Sequence, residues 1–333
     1  MARIRRFGTL ADGREVQAIT LGGGDGLSAE VLTYGAILRG LSIPVAGKRR
    51  ETVLALGDTA QYEADTAYVG PVVGRFANRI AQGRFAVDGH VHQLARNENG
   101  NHLHGGVRGV GRQLWEVLGT PSESSLSLAL HSPAGAEGYP GNLDIRLQIA
   151  LSANSLGISF TARCDAPTPV NLTWHPYFNL GGEATRHWLR IPASRYLPVG
   201  TGLIPTGEIA PVDGGPFDFR KGRILQPPPV DTHPQLGLGG GYDHCWVLDA
   251  DADCQCELRS PEGDLTLTIT GSGPGLQFYS GQYLSRTHPG IGSGIALEPQ
   301  GFPDAPNHAG FPDSILQPGR DYRARIDYRF SPG

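Results

Sequence analysis

The sequence predicts an all-β protein, a large antiparallel β-sandwich with few short helices, on three observations. Alternation of apolar and polar residues at period two recurs in stretch after stretch. No helical period is sustained over ten residues. Glycine (48) and proline (26) stand well above their usual share, and they recur along the chain at turn-like intervals instead of gathering in one tract. At 333 residues the chain is long for one domain, but large β architectures run long without splitting. No linker or composition shift divides it, so one domain over 1–333 is expected.

The elements follow in order. Residues 58–63, opening on Asp58, read as a short capped helical turn. Asp88-Gly89, between Phe85-Ala86-Val87 and His90-Val91-His92, is a hairpin turn. Residues 143–149 alternate without a miss. A Ser152-Ala153-Asn154-Ser155 turn then leads to the alternating Leu156, Ile158, Phe160 and Ala162. Residues 265–270 and 322–330 form two more strands. Runs with one wet face imply antiparallel sheet.

Composition excludes several classes. A charged fraction of 18% is too low for a disordered chain, and a net charge of −4 with scattered Lys/Arg argues against nucleic acid. No run approaches membrane-spanning length, and the basic start is not followed by an apolar leader. Cys164, Cys245, Cys254 and Cys256 do not make a disulfide framework. A cytoplasmic protein without membrane partners is expected.

Five segments are dense in polar groups yet held rigid by Gly, Pro or aromatics. The run 297–308 sets Glu298 among prolines, amides and an aromatic. The run 171–182 does the same for His175, flanked by Trp174, Pro176, Tyr177 and Phe178. A carboxylate and an imidazole so framed suggest an acid/base pair acting on a sugar. In the run 74–80, Arg75 and Arg79 would share one strand face with Asn78 on the other, and Arg and Asn suit hydroxyl binding. In the run 97–106, the Gly105-Gly106 pair would let a ligand approach the backbone beside His104. In the run 241–248, Asp243 enters a strand from a glycine-rich loop, where it could equally be a turn residue. His90, His92, His102 and His104 offer two His-x-His pairs, but no Cys or His-Glu-x-x-His partner completes a metal set, so no metal is expected.

Together, in this order, Gly74-Arg75-Phe76-Ala77-Asn78-Arg79-Ile80, Asn101-His102-Leu103-His104-Gly105-Gly106, the run 171–180, Tyr242-Asp243-His244 and the block from Glu298 through Asn307 closely resemble the aldose 1-epimerase (galactose mutarotase) family. The resemblance extends from about Tyr34 to Phe330. It implies a galactose mutarotase-like β-supersandwich that needs no cofactor and works on a small-molecule aldose, as a monomer or homodimer. By match of motif, Glu298 is the general base and His175 the general acid. Arg79, His104 and Asp243 bind the sugar, helped by Asn78 and Gln277. Trp174, Cys245, Trp246 and Pro299 depart from common residues of the family, and the two tryptophans are expected to reshape the pocket.

Interconverting α and β anomers requires a base at the C1 hydroxyl and an acid at the ring oxygen. Ordinary values of about 4.3 for Glu and about 6.5 for His would already suit those roles. Three rivals stand beside this reading: a hexose-6-phosphate epimerase of the same fold, which wants a basic cluster; a non-catalytic carbohydrate-binding β-sandwich; and a metal enzyme built on the four histidines above.

Overall fold

The computed structural model describes residues 1–228 and 230–332; Pro229 and Gly333, inside the expected 1–333 domain, lie outside the described residues. Three large antiparallel sheets account for most of it. Five consecutive N-terminal strands, from Arg3–Thr9 to Lys48–Glu51, form the first. A nine-stranded sheet and a six-stranded sheet make the body.

The four strands read from alternation stand side by side in the nine-stranded sheet. Leu143–Leu151 pairs with Ser155–Cys164, which pairs with Tyr322–Pro332, which pairs with Leu265–Gly271. Leu143, Ile145, Leu147 and Ile149 are buried while Asp144, Arg146 and Gln148 face water, as period two requires. Leu147, Phe160, Leu267 and Tyr328 then share one hydrophobic core with Leu276, Phe278, Ile295 and Leu297 of the six-stranded sheet. Burying each such side chain contributes about 1.5–3 kcal/mol before conformational entropy is counted.

The Asp88-Gly89 hairpin joins Arg84–Val87 to His90–Gln93, with φ of 50° and 76° at the two turn residues, as a type I′ turn demands. Asp58 caps the helix Thr59–Ala64 by accepting a hydrogen bond from the Gln61 N–H. Two further one-turn helices escape the sequence reading. Pro234–Gly239 opens on proline and closes on Gly240 at φ 63°, a start and stop signal without a period between them, and Leu284–Thr287 is too short to carry one.

The run 74–80 is not the continuous strand expected. Asn78 sits at φ 63°, and only Arg79–Ile80 forms a strand, pairing with His102–Leu103, while Phe76 makes a single bridge to Asn171. The break sends the two arginines to different places. Arg75 is buried away from the pocket, donating to the carbonyls of Ser132, Pro133, Pro140 and Gly141. Its burial pushes the guanidinium down to about 10.

Candidate active site

The six-stranded sheet has two faces with separate duties. Leu276, Phe278, Ile295 and Leu297 point into the core, so the residues alternating with them along each strand point outward. On that outward face Tyr177 stands opposite Ala296, Gln277 opposite Glu298, and Asp243 opposite Tyr279. Loops covering this face enclose a pocket of about 510 Å³, within the range of small-molecule sites. Asn78, Arg79, His104, His175, Asp243 and Glu298 all line it, and Gln277 lies behind its wall.

His175 Nε2 stands 3.6 Å from Glu298 Oε1 at the pocket floor. His175 is fixed by its backbone: its N–H donates to the Pro71 carbonyl, and its carbonyl accepts from the Gly70 N–H. Glu298 is 1% exposed and its Oε2 has no hydrogen-bond partner in the protein, leaving an acceptor for a ligand. The rings of Tyr177 and His104 flank His175 at 5.1 and 5.3 Å, and Tyr68 packs on His104 at 4.5 Å.

This dry setting overturns the expectation that ordinary acidities serve. Burial pushes the Glu298 carboxyl well above its usual range; nearby Asp243 adds to the effect and Arg79 opposes it. Burial also lowers His175 from 6.5 to about 4 and holds His104 well below 6.5. Burial thus drives both members of the pair toward their neutral forms.

The polar groups of the pocket wall are locked to one another. His104 Nδ1 accepts from the Asn78 N–H at 3.2 Å, and the His104 N–H donates to the Asn78 carbonyl at 3.0 Å. The ring's other nitrogen is therefore the one carrying hydrogen. Arg79 Nη1 lies 3.4 Å from Asp243 Oδ2, and Gln277 Nε2 donates to Asp243 Oδ1 at 2.6 Å, so Gln277 reaches the pocket only through Asp243.

Glu98, passed over in the sequence, also lines the pocket and grips Arg79 at 3.0 and 3.2 Å. Tyr68, Tyr177 and Tyr279 were missed as lining residues too. Tyr177 and Glu98 lay inside polar segments already singled out, but nothing in the sequence marks Tyr68.

Other expectations need correction. The Gly105-Gly106 pair makes room for protein, not ligand: a Cβ on Gly105 would lie 1.7 Å from the Gly74 carbonyl oxygen, and one on Gly106 would lie 2.2 Å from the Glu137 carboxylate. The four-histidine metal set does not assemble. His90 and His92 lie on the outlying hairpin, and His102 spends both nitrogens on the Ala95 carbonyl and the Tyr139 hydroxyl, each at 2.7 Å. A different trio, His104, His175 and Glu298, does bring three ligand atoms within 4.8 Å of one another. Two imidazoles and a carboxylate form a donor set suited to a first-row transition metal.

The profile described as Aldose 1-epimerase matches residues 17–329. The chain belongs to the aldose 1-epimerase family, a family of isomerases. Galactose mutarotase of Rattus norvegicus is 37% identical over 323 residues, covering 92% of each chain, and aldose 1-epimerase of Escherichia coli K12 is 35% identical over 336 residues, covering 96% of each. The solved galactose 1-epimerase of Lactobacillus acidophilus superposes with a TM-score of 0.87 at 29% identity, over 100% of this chain and 99% of that one.

The departures of this aldose 1-epimerase family member from common family residues prove to be core features. Trp174 and Trp246 are fully buried in the hydrophobic core, their indole N–H groups donating to the carbonyls of Ala36 and Phe217. Neither lines the pocket. Cys245 packs with Phe76 and Phe302. Around Glu298, the amide-rich block does not reach the pocket either. Asp304 instead accepts from the Ala81 N–H at 2.9 Å and donates its own N–H to the Arg79 carbonyl at 2.8 Å, fastening the Arg79 turn.

Proposed function

We propose that this protein is an aldose 1-epimerase that interconverts the α and β anomers of free aldoses such as galactose or glucose, with Glu298 and His175 moving the protons. The observation that carries the reading is the pair itself, 3.6 Å apart at the floor of a sugar-sized pocket. Glu298 takes the proton from the C1 hydroxyl while His175 gives one to the ring oxygen. The C1–O5 bond breaks and C1 becomes the aldehyde carbon. Rotation about C1–C2 presents the other carbonyl face, and the two groups exchange roles as the ring closes. Arg79, His104, Asp243 and Asn78 hold the sugar hydroxyls, limiting its orientations.

The chemistry needs one transferable proton on the pair. A carboxylate with an imidazolium, or a carboxylic acid with an imidazole, each holds one, so the neutral arrangement favoured by burial is poised for the same reaction with the roles exchanged. No cofactor is required, because the two side chains supply and accept both protons. We further propose a cytoplasmic enzyme of one domain, acting as monomer or homodimer without nucleic-acid or membrane partners. Four free cysteines and a net charge of −4 support that placement.

Polarimetry of freshly dissolved α-galactose and α-glucose tests the reading. Glu298→Gln keeps shape but cannot exchange a proton, and His175→Asn likewise removes the second group. Each is expected to reduce kcat by about 10²–10⁴-fold. A Glu298→Gln enzyme working at the wild-type rate would reassign Glu298 to structure.

A further inference from the structure

Among the described residues lining the pocket, Arg79 is the single Lys or Arg, and the carboxyl groups of Glu98, Asp243 and Glu298 share the lining with it. Three of its five N–H donors are taken by carboxylates. Nη2 and Nε bind the two Glu98 oxygens at 3.0 and 3.2 Å in a side-on fork, and Nη1 faces Asp243 at 3.4 Å. Glu98 is no floating side chain. Its loop is closed by paired backbone bonds between Glu98 and Asn101 at 3.1 and 2.7 Å, and Asn97 clamps both backbone groups of Leu103 at 2.8 and 2.9 Å.

We propose that Glu98 is a specificity-determining residue that excludes anionic aldoses, those bearing a carboxylate or a phosphate, while neutral aldoses are accepted. The site discriminates through a repulsive element as much as an attractive one. Glu98 occupies the edge of Arg79 that an anionic substituent would need, and it places a fixed negative charge at the pocket wall. A sugar's hydroxymethyl group can donate to that carboxylate; the carboxylate that replaces it in a uronate cannot. Like charges brought together across a partly buried site weaken binding severely. This inference rests on the aldose reading above and names the subset of aldoses the site admits.

The test compares dissociation constants for galacturonate and galactose by calorimetry, in wild type and in Glu98→Gln. Gln keeps the length and hydrogen-bonding reach while removing the charge. The galacturonate-to-galactose affinity ratio is expected to rise about tenfold or more in Glu98→Gln. Glu98→Asp, which keeps the charge, should retain the wild-type ratio. Raising ionic strength should narrow the wild-type preference, because Glu98 is partly exposed to screening. Equal loss of both sugars in Glu98→Gln would show that Glu98 merely positions Arg79 and would overturn the inference, as would a ratio that moves as far in Glu98→Asp. Because binding is measured, turnover does not enter: a wild-type protein that binds galactose but does not mutarotate it would refute the acid/base reading alone. One that binds neither sugar would refute both.

Discussion

His175→Asn gives the sharpest view of the acid/base pair, through the pH profile of kcat/KM. Burial lowers His175 from 6.5 to about 4, which costs the imidazolium about 3 kcal/mol relative to water. Glu298 moves the other way, well above the carboxylate range. The active pair holds one transferable proton, so activity ends on the acid side when a second proton reaches His175, and on the alkaline side when Glu298 gives up the last one. Ordinary acidities would assign the limbs in the opposite order. The assay is initial-rate polarimetry on α-galactose from about pH 3.5 to about pH 9, with spontaneous mutarotation subtracted. The residual activity of His175→Asn should lose the acid limb near pH 4 and keep the alkaline one. An unchanged acid limb would refute the reasoning. Stability must be followed over the same range, and its sign is fixed. The unfolded chain protonates His175 below 6.5 but the folded chain only near 4, so stability falls by about 3 kcal/mol as pH drops through that window. His175→Asn should remove that share of the acid sensitivity.

Glu298→Gln should alter stability on the alkaline side. The folded state retains the Glu298 proton above 4.5 while the unfolded chain releases it, so wild-type stability declines as pH rises through that range; chemical denaturation should show the decline flattened in the variant. Gly105→Ala should destabilise the fold by about 3 kcal/mol or more, since the added methyl meets the Gly74 carbonyl and Gly105 sits at φ +89°; a neutral denaturation midpoint would contradict this. Trp174→Phe loses the bond to the Ala36 carbonyl and should cost about 1–3 kcal/mol while leaving the galactose-to-glucose rate ratio unchanged. Exhaustive chelation should leave the rate intact, whereas added Zn²⁺ should compete with sugar for the His104, His175 and Glu298 trio. A chelated enzyme that regains activity with Zn²⁺ would instead make the metal part of the catalyst.

What the sequence made legible, and what it hid, divides along physical lines. Strands such as Leu143–Leu151 were readable because one face meets core and the other water, which writes the pleat into the residue pattern. The one-turn helices had no room for a period. Polar density marked the right segments but not the duties inside them. Arg75 and Arg79 look equivalent in sequence, yet the strand is broken between them, with Asn78 at φ 63°, and one feeds backbone carbonyls while the other enters the pocket. Gly105 suggested a ligand because close backbone approach and ligand approach leave the same signature in sequence. Glu98 could not be seen as Arg79's partner without the fold that brings positions 79 and 98 together. The acidities of Glu298 and His175 depend on how much water the finished structure excludes, and no window of sequence contains that quantity.

The strand Ile295–Gln300 is buried at every position, with Glu298 on one face and Leu297 locked in the core on the other. Such a strand leaves adaptation little freedom: almost any substitution on it disturbs either packing or the pocket floor. The Glu98 loop, by contrast, is tied off by its own hydrogen bonds and stands over the sheet without being woven into it. Swapping that loop between relatives should therefore shift the choice between neutral and anionic sugars while Glu298 stays in place on the sheet. For an engineer, the sheet is the part to inherit and the loop the part to rewrite.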